Sequence, residues 1–234
     1  MRGLRDFKVP NFKFPKFKMK ELSEIDEVKV DYDEIKKTQE NQKKKEVQNY
    51  TPTNYETIQE VFYKSIKENK DRTIVLEKFD PKGKYTEISY RQFGEDVIGF
   101  GTALMRKLQL GSNPRVLILS ETTYHWYVSY MTMLCGNGIA IPTDKELPDN
   151  ELENVIKRSR ADVVIYSARK EDSIKKILSN IPEVKYFVKM YSEEGIDGKN
   201  VGMQYLIEEG KNLVANGDDA YSKIRVIPDE FKVL

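Results

Sequence analysis

The sequence predicts an α/β protein: a mostly parallel β-sheet flanked by helices, with an extended N-terminal arm. Three observations carry this. Continuous apolar runs of β type begin at Val116 (Val-Leu-Ile-Leu), Gly138 (Gly-Ile-Ala-Ile), Val163 (Val-Val-Ile-Tyr) and Tyr186 (Tyr-Phe-Val). Roughly one helix of amphipathic sequence separates each from the next, the rhythm of parallel strands buried on both faces. The first fifty residues are different: few aliphatics, no helical stripe, and Pro10 and Pro15 set among phenylalanines. They read as a charged, flexible arm (1–50) before an α/β domain (51–234).

The elements follow in order. Thr53 and Glu56 form a capping-box pair, and Ile58, Val61, Phe62 and Ile66 then recur at helical spacing. Ile74-Val75-Leu76 reads as a strand. A turn at Asp80-Pro-Lys-Gly83 returns it as a hairpin through Lys84 to Ile88. Ser89 and Gln92 cap a second helix whose face is Phe93, Val97, Phe100, Leu104 and Leu108, with Gly111 and Pro114 ending it. Thr122–Leu134 is an apolar helix. Asp149–Arg160 is amphipathic, with Leu152, Val155, Ile156 and Ser159 on one face. Its acids lie at the start and its bases at the end, as the helix dipole favours. A last helix covers about Gly202–Ala215 and stops at Asn216-Gly217. A short strand, Phe231-Lys-Val-Leu234, closes the chain.

Composition excludes several classes. A single cysteine, Cys135, permits no intrachain disulfide, and one histidine, His125, leaves no Cys/His zinc set. No run of 18 apolar residues spans a membrane, and no secretory leader opens the chain. The expectation is a cytoplasmic protein. Charge is blocked: residues 1–20 hold seven Lys/Arg against one acid, and residues 21–34 hold seven acids against one Lys. Phe7, Phe12, Phe14 and Phe17 alternate with Lys8, Lys13, Lys16, Lys18 and Lys20. Such an arm suits an anionic membrane, at about 1 kcal/mol per lysine. It also suits packing of the phenylalanines on protein; nucleic acid is the weakest of the three readings.

Chemical motifs are sparse. Gly83-Lys84, Gly198-Lys199 and Gly210-Lys211 all lack the remainder of a Walker A loop. Gly99-Phe-Gly101 lies inside a helix, follows no strand and lacks a third glycine, so it is no dinucleotide fingerprint. His125 has the chemistry of a general base, but no serine or cysteine motif points at it, and a buried helical position accounts for it. Trp126, Tyr130 and Met133 read as core, Cys135 as an inert thiol, and Asp31-Tyr-Asp33-Glu34 as a solvated acidic linker without a calcium loop's glycine.

Several segments, in order, resemble the adenylate-forming ligases, and among them the long-chain acyl-CoA synthetases. Lys84-Tyr-Thr-Glu-Ile-Ser-Tyr-Arg-Gln-Phe93 is similar to the early "T-Y-x-E-L" segment, with Ser89-Tyr90 standing for Thr-Tyr. Pro114-Arg-Val-Leu-Ile-Leu119 resembles "D-R-V-A-I", and Thr122-Thr-Tyr-His-Trp126 resembles "N-x-x-E-W" with His125 in place of Glu. Leu134-Cys-Gly-Asn-Gly-Ile-Ala-Ile-Pro-Thr-Asp144 resembles "L-x-x-G-A-V-x-V-P-L-D", continued by Lys145-Glu-Leu-Pro148, and Ser159-Arg-Ala-Asp162 fits "S-x-A". Ile227-Pro-Asp-Glu230 and the last four residues are similar to the approach to the phosphate loop "T-S-G-T-T-G-x-P-K-G". In the Leu134–Asp144 segment, Gly136 and Gly138 are expected to turn a helix tightly into a strand, and Pro142 to end that strand.

The resemblance covers roughly residues 55–234. It implies an N-terminal fragment of an AMP-forming acyl-CoA synthetase. Such an enzyme converts a fatty acid and ATP to an acyl-adenylate, then to a coenzyme A thioester, with Mg²⁺ on the phosphates. In that family the phosphate loop, adenine pocket, ribose aspartate, hinge and catalytic lysine lie beyond the segments matched here. No catalytic, cofactor-binding or metal-binding residue is therefore assigned, and the chain alone is expected to be inactive. Its implied partners are the remainder of the ligase and a fatty acid, with peripheral membrane contact through residues 1–20. The alternative is a non-catalytic α/β interaction module with a membrane- or nucleic-acid-binding arm. An open apolar face fits the fragment, and a polar, sealed face fits the module.

Overall fold

Five parallel strands form the central sheet of the computed structural model, in the order β4 (Ile139–Pro142), β3 (Arg115–Leu119), β5 (Val163–Tyr166), β6 (Tyr186–Lys189) and β7 (Asn200–Gly202). The structure describes residues 53–79, 82–136 and 138–234. The chain divides between Thr53 and Asn54, and every element below belongs to the second unit, Asn54–Leu234. The arm's Phe/Lys pattern and the acidic run at Asp31–Glu34 lie outside the described residues.

Helix α1 (Ile58–Asn69) leads to an antiparallel hairpin of β1 (Thr73–Glu77) and β2 (Thr86–Ser89). Then come α2 (Tyr90–Arg106), β3 (Arg115–Leu119), α3 (Tyr124–Leu134), β4 (Ile139–Pro142) and α4 (Asp149–Ser159). The chain continues through β5 (Val163–Tyr166), the short α5 (Glu171–Ile177), β6 (Tyr186–Lys189), β7 (Asn200–Gly202) and α6 (Met203–Ala215).

The apolar runs face both ways, as the two-residue period of a strand requires. Val116, Ile118, Ala140, Val163, Ile165 and Val188 pack with α2, α3 and α6 on one side. Leu117, Leu119, Ile141, Val164, Tyr166 and Phe187 pack with α4 and α5 on the other. A sheet covered on both faces has no polar alternation to show, which is why its strands read as unbroken apolar runs.

Most predicted elements stand where the residues placed them. Ser89 caps α2, its Oγ accepting from Gln92 N at 3.1 Å. Pro142 ends β4, and Thr143 N then bonds Ile118 O at 3.0 Å. Arg160 closes α4 in the left-handed region (φ 55°). The last strand is a single parallel bridge, Val233 to Ala140, on the outer edge of β4.

Four expectations are corrected. The cap of α1 is Thr57, whose Oγ1 accepts from Glu60 N at 3.2 Å; Thr53-x-x-Glu56 repeats the same pattern one turn early. Helix α2 stops at Arg106, so Leu108 is buried from a loop whose left-handed turns fall on Gln109 and Asn113, not Gly111. Gly136 and Gly138 do not have positive φ. They are small because a Cβ on Gly136 would strike the Tyr221 ring and one on Gly138 would strike Met133 Sδ. Strand β7 went unseen, since Val201 is the one apolar residue among its three.

Candidate functional site

In open parallel sheets, ligands bind beyond the carboxyl ends of the strands where the strand order reverses. Here the chain enters the five-stranded sheet at β3, steps to β4 on one side, then crosses to β5 on the other, so that point lies between β3 and β5. Two loops meet there, Ser120–Thr123 and Ser167–Lys170. Ser120 and Ser167 are both buried. Ser120 Oγ donates to Glu121 O at 2.7 Å, and Ser167 N to Leu119 O at 3.2 Å. The Ser167 hydroxyl makes no well-formed hydrogen bond, although its dipole still favours the ionised Glu121 nearby. Burial pushes the Glu121 carboxyl up, but its own backbone N–H, Ser167, Arg169 and Lys145 outweigh this and hold it below the usual range. Glu121 is therefore an anion at the switch point. Arg169, 3.6 Å away and 80% exposed, neutralises little of it.

Helix α3 starts at the same edge. Its N-cap Thr123 supplies no side-chain bond. Glu77, at the end of β1, caps it instead: Oε2 accepts from Tyr124 N at 3.1 Å and Oε1 accepts from Tyr191 OH at 3.2 Å. A helix N-terminus is a natural seat for a phosphate. In this molecule a carboxylate from the hairpin already sits in it, with Glu121 close by in sequence. Among the described residues no glycine-rich loop approaches, and no three of His, Cys, Asp and Glu gather as metal ligands. Around this helix start the described residues do not fit ATP with Mg²⁺.

Tyr191 holds this corner together. It adopts φ 56°, a conformation that costs an aromatic residue about 1–3 kcal/mol. Its ring stacks on His125 at 4.0 Å with planes 4° apart, and its N–H donates to His125 Nδ1 at 3.0 Å. His125, 2% exposed, is thus a neutral acceptor, its proton on Nε2. Burial pushes its pKa down to about 4, with Gln204 opposing. Ser129 Oγ bonds the His125 carbonyl and not its ring. Nothing here makes His125 a base for a nucleophile.

A free histidine titrates near 6.5, so on acidification the unfolded chain binds the proton first. This contribution is intact above pH 6.5 and is lost as pH falls to about 4, amounting to about 3 kcal/mol. Urea midpoints measured from pH 7 to 5.5 should fall, a window in which carboxylates with ordinary values near 4 contribute little. A flat profile would contradict the assignment, because the chain has one histidine.

The other singled-out residues are structural. Gly99 and Gly210 let α2 and α6 touch through backbone, and Gly101 admits Tyr221. Lys199 Nζ donates to Pro182 O and Val184 O, both at 2.7 Å. Lys211 Nζ reaches Asp96 Oδ1 at 2.5 Å. Trp126 stacks on Tyr130 (5.0 Å, 22°), and Met133 is buried. Burial raises the Cys135 thiol to about 12, so it is inert. The working residues missed in the sequence are Glu77, Tyr191, Asp96 and Gln59. Their partners lie 28 to 167 residues away, so no local pattern marks them.

Apolar side chains are exposed on two of the surfaces formed by the described residues. Ile58 (51% exposed), Val61, Leu76 (57%) and Tyr127 line a trough of about 630 Å³ between α1, β1 and α3. Ile227, Phe231 and Leu234 are exposed at the chain's last residues. No helix among the described residues is long and apolar enough to cross a membrane.

Comparison with known proteins agrees with this architecture. A plipastatin synthase component of Bacillus subtilis (strain 168) is 24% identical over 135 residues, 58% of this chain and 5% of that protein. The A-PCP didomain of carboxylic acid reductase from Segniliparus rugosus, in complex with AMP, superposes with a TM-score of 0.60 at 12% identity. That match covers 76% of this chain and 28% of the other. The anthranilate CoA ligase AuaEII, in complex with anthranoyl-AMP, gives 0.55 at 21% identity, covering 67% and 28%. A protein of Rhodopseudomonas palustris CGA009 assigned as a long-chain-fatty-acid CoA ligase gives 0.55 at 17%, covering 64% and 36%. These likenesses show the fold, and the matches cover between 5% and 36% of those proteins. The family profile described as AMP-binding enzyme matches residues 62–212. Over its sheet and most of its helices, this chain belongs to the AMP-binding enzyme family of adenylate-forming ligases.

Proposed function

We propose that this chain is the N-terminal portion of an AMP-forming acyl-CoA synthetase for medium- or long-chain fatty acids, and that it is inactive alone. The observation that carries the reading is the family match over residues 62–212. Two of the similar structures are CoA ligases by name, one of them for long-chain fatty acids, which supports an acid–thiol ligase. ATP, Mg²⁺ and coenzyme A are then the whole enzyme's co-substrates and metal, held by residues other than those described. Inactivity of the chain alone is supported by its carboxyl edge, where Glu77 fills the seat at the start of α3 and Glu121 adds a second negative charge. The open trough at Ile58, Leu76 and Tyr127 favours a part of a larger domain over a sealed, self-sufficient module.

Sequencing the reading frame past the Leu234 codon tests this. The expected result is a Thr/Ser/Gly-rich loop within a few residues and a catalytic lysine far downstream. A stop codon would overturn the ligase reading in favour of a non-catalytic module.

A further inference from the structure

Residues 218–234 form no helix or strand beyond one bridge, yet buried side chains hold them at several points. The most buried polar anchor is Gln59, on α1 and 6% exposed. Its Nε2 donates to Cys135 O at 2.7 Å and to Ile224 O at 2.8 Å, and its Oε1 accepts from Val226 N at 3.3 Å. One amide thereby ties three stretches of chain together, using three of its four hydrogen-bonding sites. Tyr221 is fully buried, in a slot that exists because Gly101 and Gly136 lack a Cβ, and its hydroxyl donates to Thr132 O at 2.7 Å. Lys232, its side chain 10% exposed, donates to Gly136 O at 2.7 Å and pairs with Glu230 at 3.3 Å.

Three of these contacts share a destination. Thr132, Cys135 and Gly136 lie at the C-terminal end of α3, where helix carbonyls have no partner within the helix and a cation is favoured. The end of α3 thus receives the tail, as its start receives Glu77. The tail then meets β4 in parallel: Ala140 N donates to Lys232 O at 2.8 Å and Leu234 N to Ala140 O at 2.9 Å. A strand parallel to β4 runs toward the carboxyl edge of the sheet, the edge at which α/β proteins bind ligands.

We propose that Gln59 is a positioning residue: with Lys232 as the second anchor, it sets the path and register of residues 224–234. The chain following Leu234 then starts at the sheet's carboxyl edge. The inference rests on the ligase reading, in which the phosphate loop follows this strand. It extends that reading by naming what aims the loop. Gln59 and the tail lie outside the span of the family match.

The test is amide hydrogen exchange on the 234-residue chain. Gln59→Met keeps the volume and removes all three bonds. Exchange at Val226 and Leu234 should accelerate about tenfold or more, while Leu117 and Ile165 in the central strands keep their protection. Gln59→Glu keeps an acceptor for Val226 N but loses the amide donors, so Leu234 should loosen more than Val226. Equal loss at all sites would make Gln59 a general stabiliser, and no loss at Val226 and Leu234 would remove its role; either overturns the proposal. If Gln59→Met does not fold, Lys232→Met should release Leu234 and Ala140 while sparing Ile165, and unchanged protection there would sink the idea. These outcomes do not depend on what the reading frame holds past Leu234, so failure of the clamp and failure of the ligase reading are distinguishable.

Discussion

Replacing Lys211 with methionine is expected to cost about 3 kcal/mol of folding stability. Asp96 is 4% exposed on α2 and is held from two sides. Tyr124 OH donates to Oδ2 at 2.5 Å, and Lys211 Nζ stands 2.5 Å from Oδ1 as an ion pair, without aligned hydrogen-bond geometry. Burial pushes the Lys211 pKa down, but Asp96 outweighs this and raises it; burial and the same carboxylate raise Tyr124 as well. Methionine keeps the stem that packs beside Gly99 and removes the cation. It leaves a buried carboxylate with one partner, a loss of about 3–5 kcal/mol when the pair is fully enclosed. Lys211 is 30% exposed, which places the effect at the lower end. Urea unfolding measures it. Adding Asp96→Asn should recover a large part of the loss, because the neutral amide still accepts from Tyr124. If the two changes instead add, the pair is not coupled.

Gly210→Ala is expected to be at least as damaging, by a different route. A Cβ at this position would overlap the Gly99 carbonyl of the facing helix. The obstacle is backbone, so no rotamer relieves it, and α2 and α6 must separate. Overpacking of this kind typically costs about 1–3 kcal/mol and more where nothing yields, so about 3 kcal/mol or failure to fold is expected. Gly111→Ala is the control, with open space around its Cβ and no positive φ. It should leave the thermal midpoint unchanged or raise it slightly. Equal tolerance at both positions would contradict the close helix contact.

These two cases also mark what the sequence makes legible. Apolar runs and caps are local, and they placed four of the five parallel strands, the start of α2, and both ends of α4 and α6 within a residue or two. Thr57 was displaced by one turn because Thr53-x-x-Glu56 and Thr57-x-x-Glu60 offer the same local chemistry, and the fold chose between them. Gly99 and Gly101 resemble a fragment of a nucleotide loop in one dimension. In three dimensions they are a helix contact and a slot for Tyr221. The site corner was not legible at all. Glu77 reaches Tyr124 across 47 residues and Tyr191 across 114, so nothing in the spacing of either marks the cap. His125 was readable as buried, but the stacking of Tyr191 that makes it a neutral acceptor was not.

If this chain is the scaffold of a ligase, as we propose, its carboxyl edge, occupied by Glu77 and Glu121, holds no nucleotide. Isothermal titration of MgATP into the 234-residue chain tests it most directly. The prediction is no saturable heat up to about 1 mM ATP, that is, binding weaker than about −4 kcal/mol. Stoichiometric binding with a micromolar dissociation constant would contradict this and place a nucleotide site within residues 1–234.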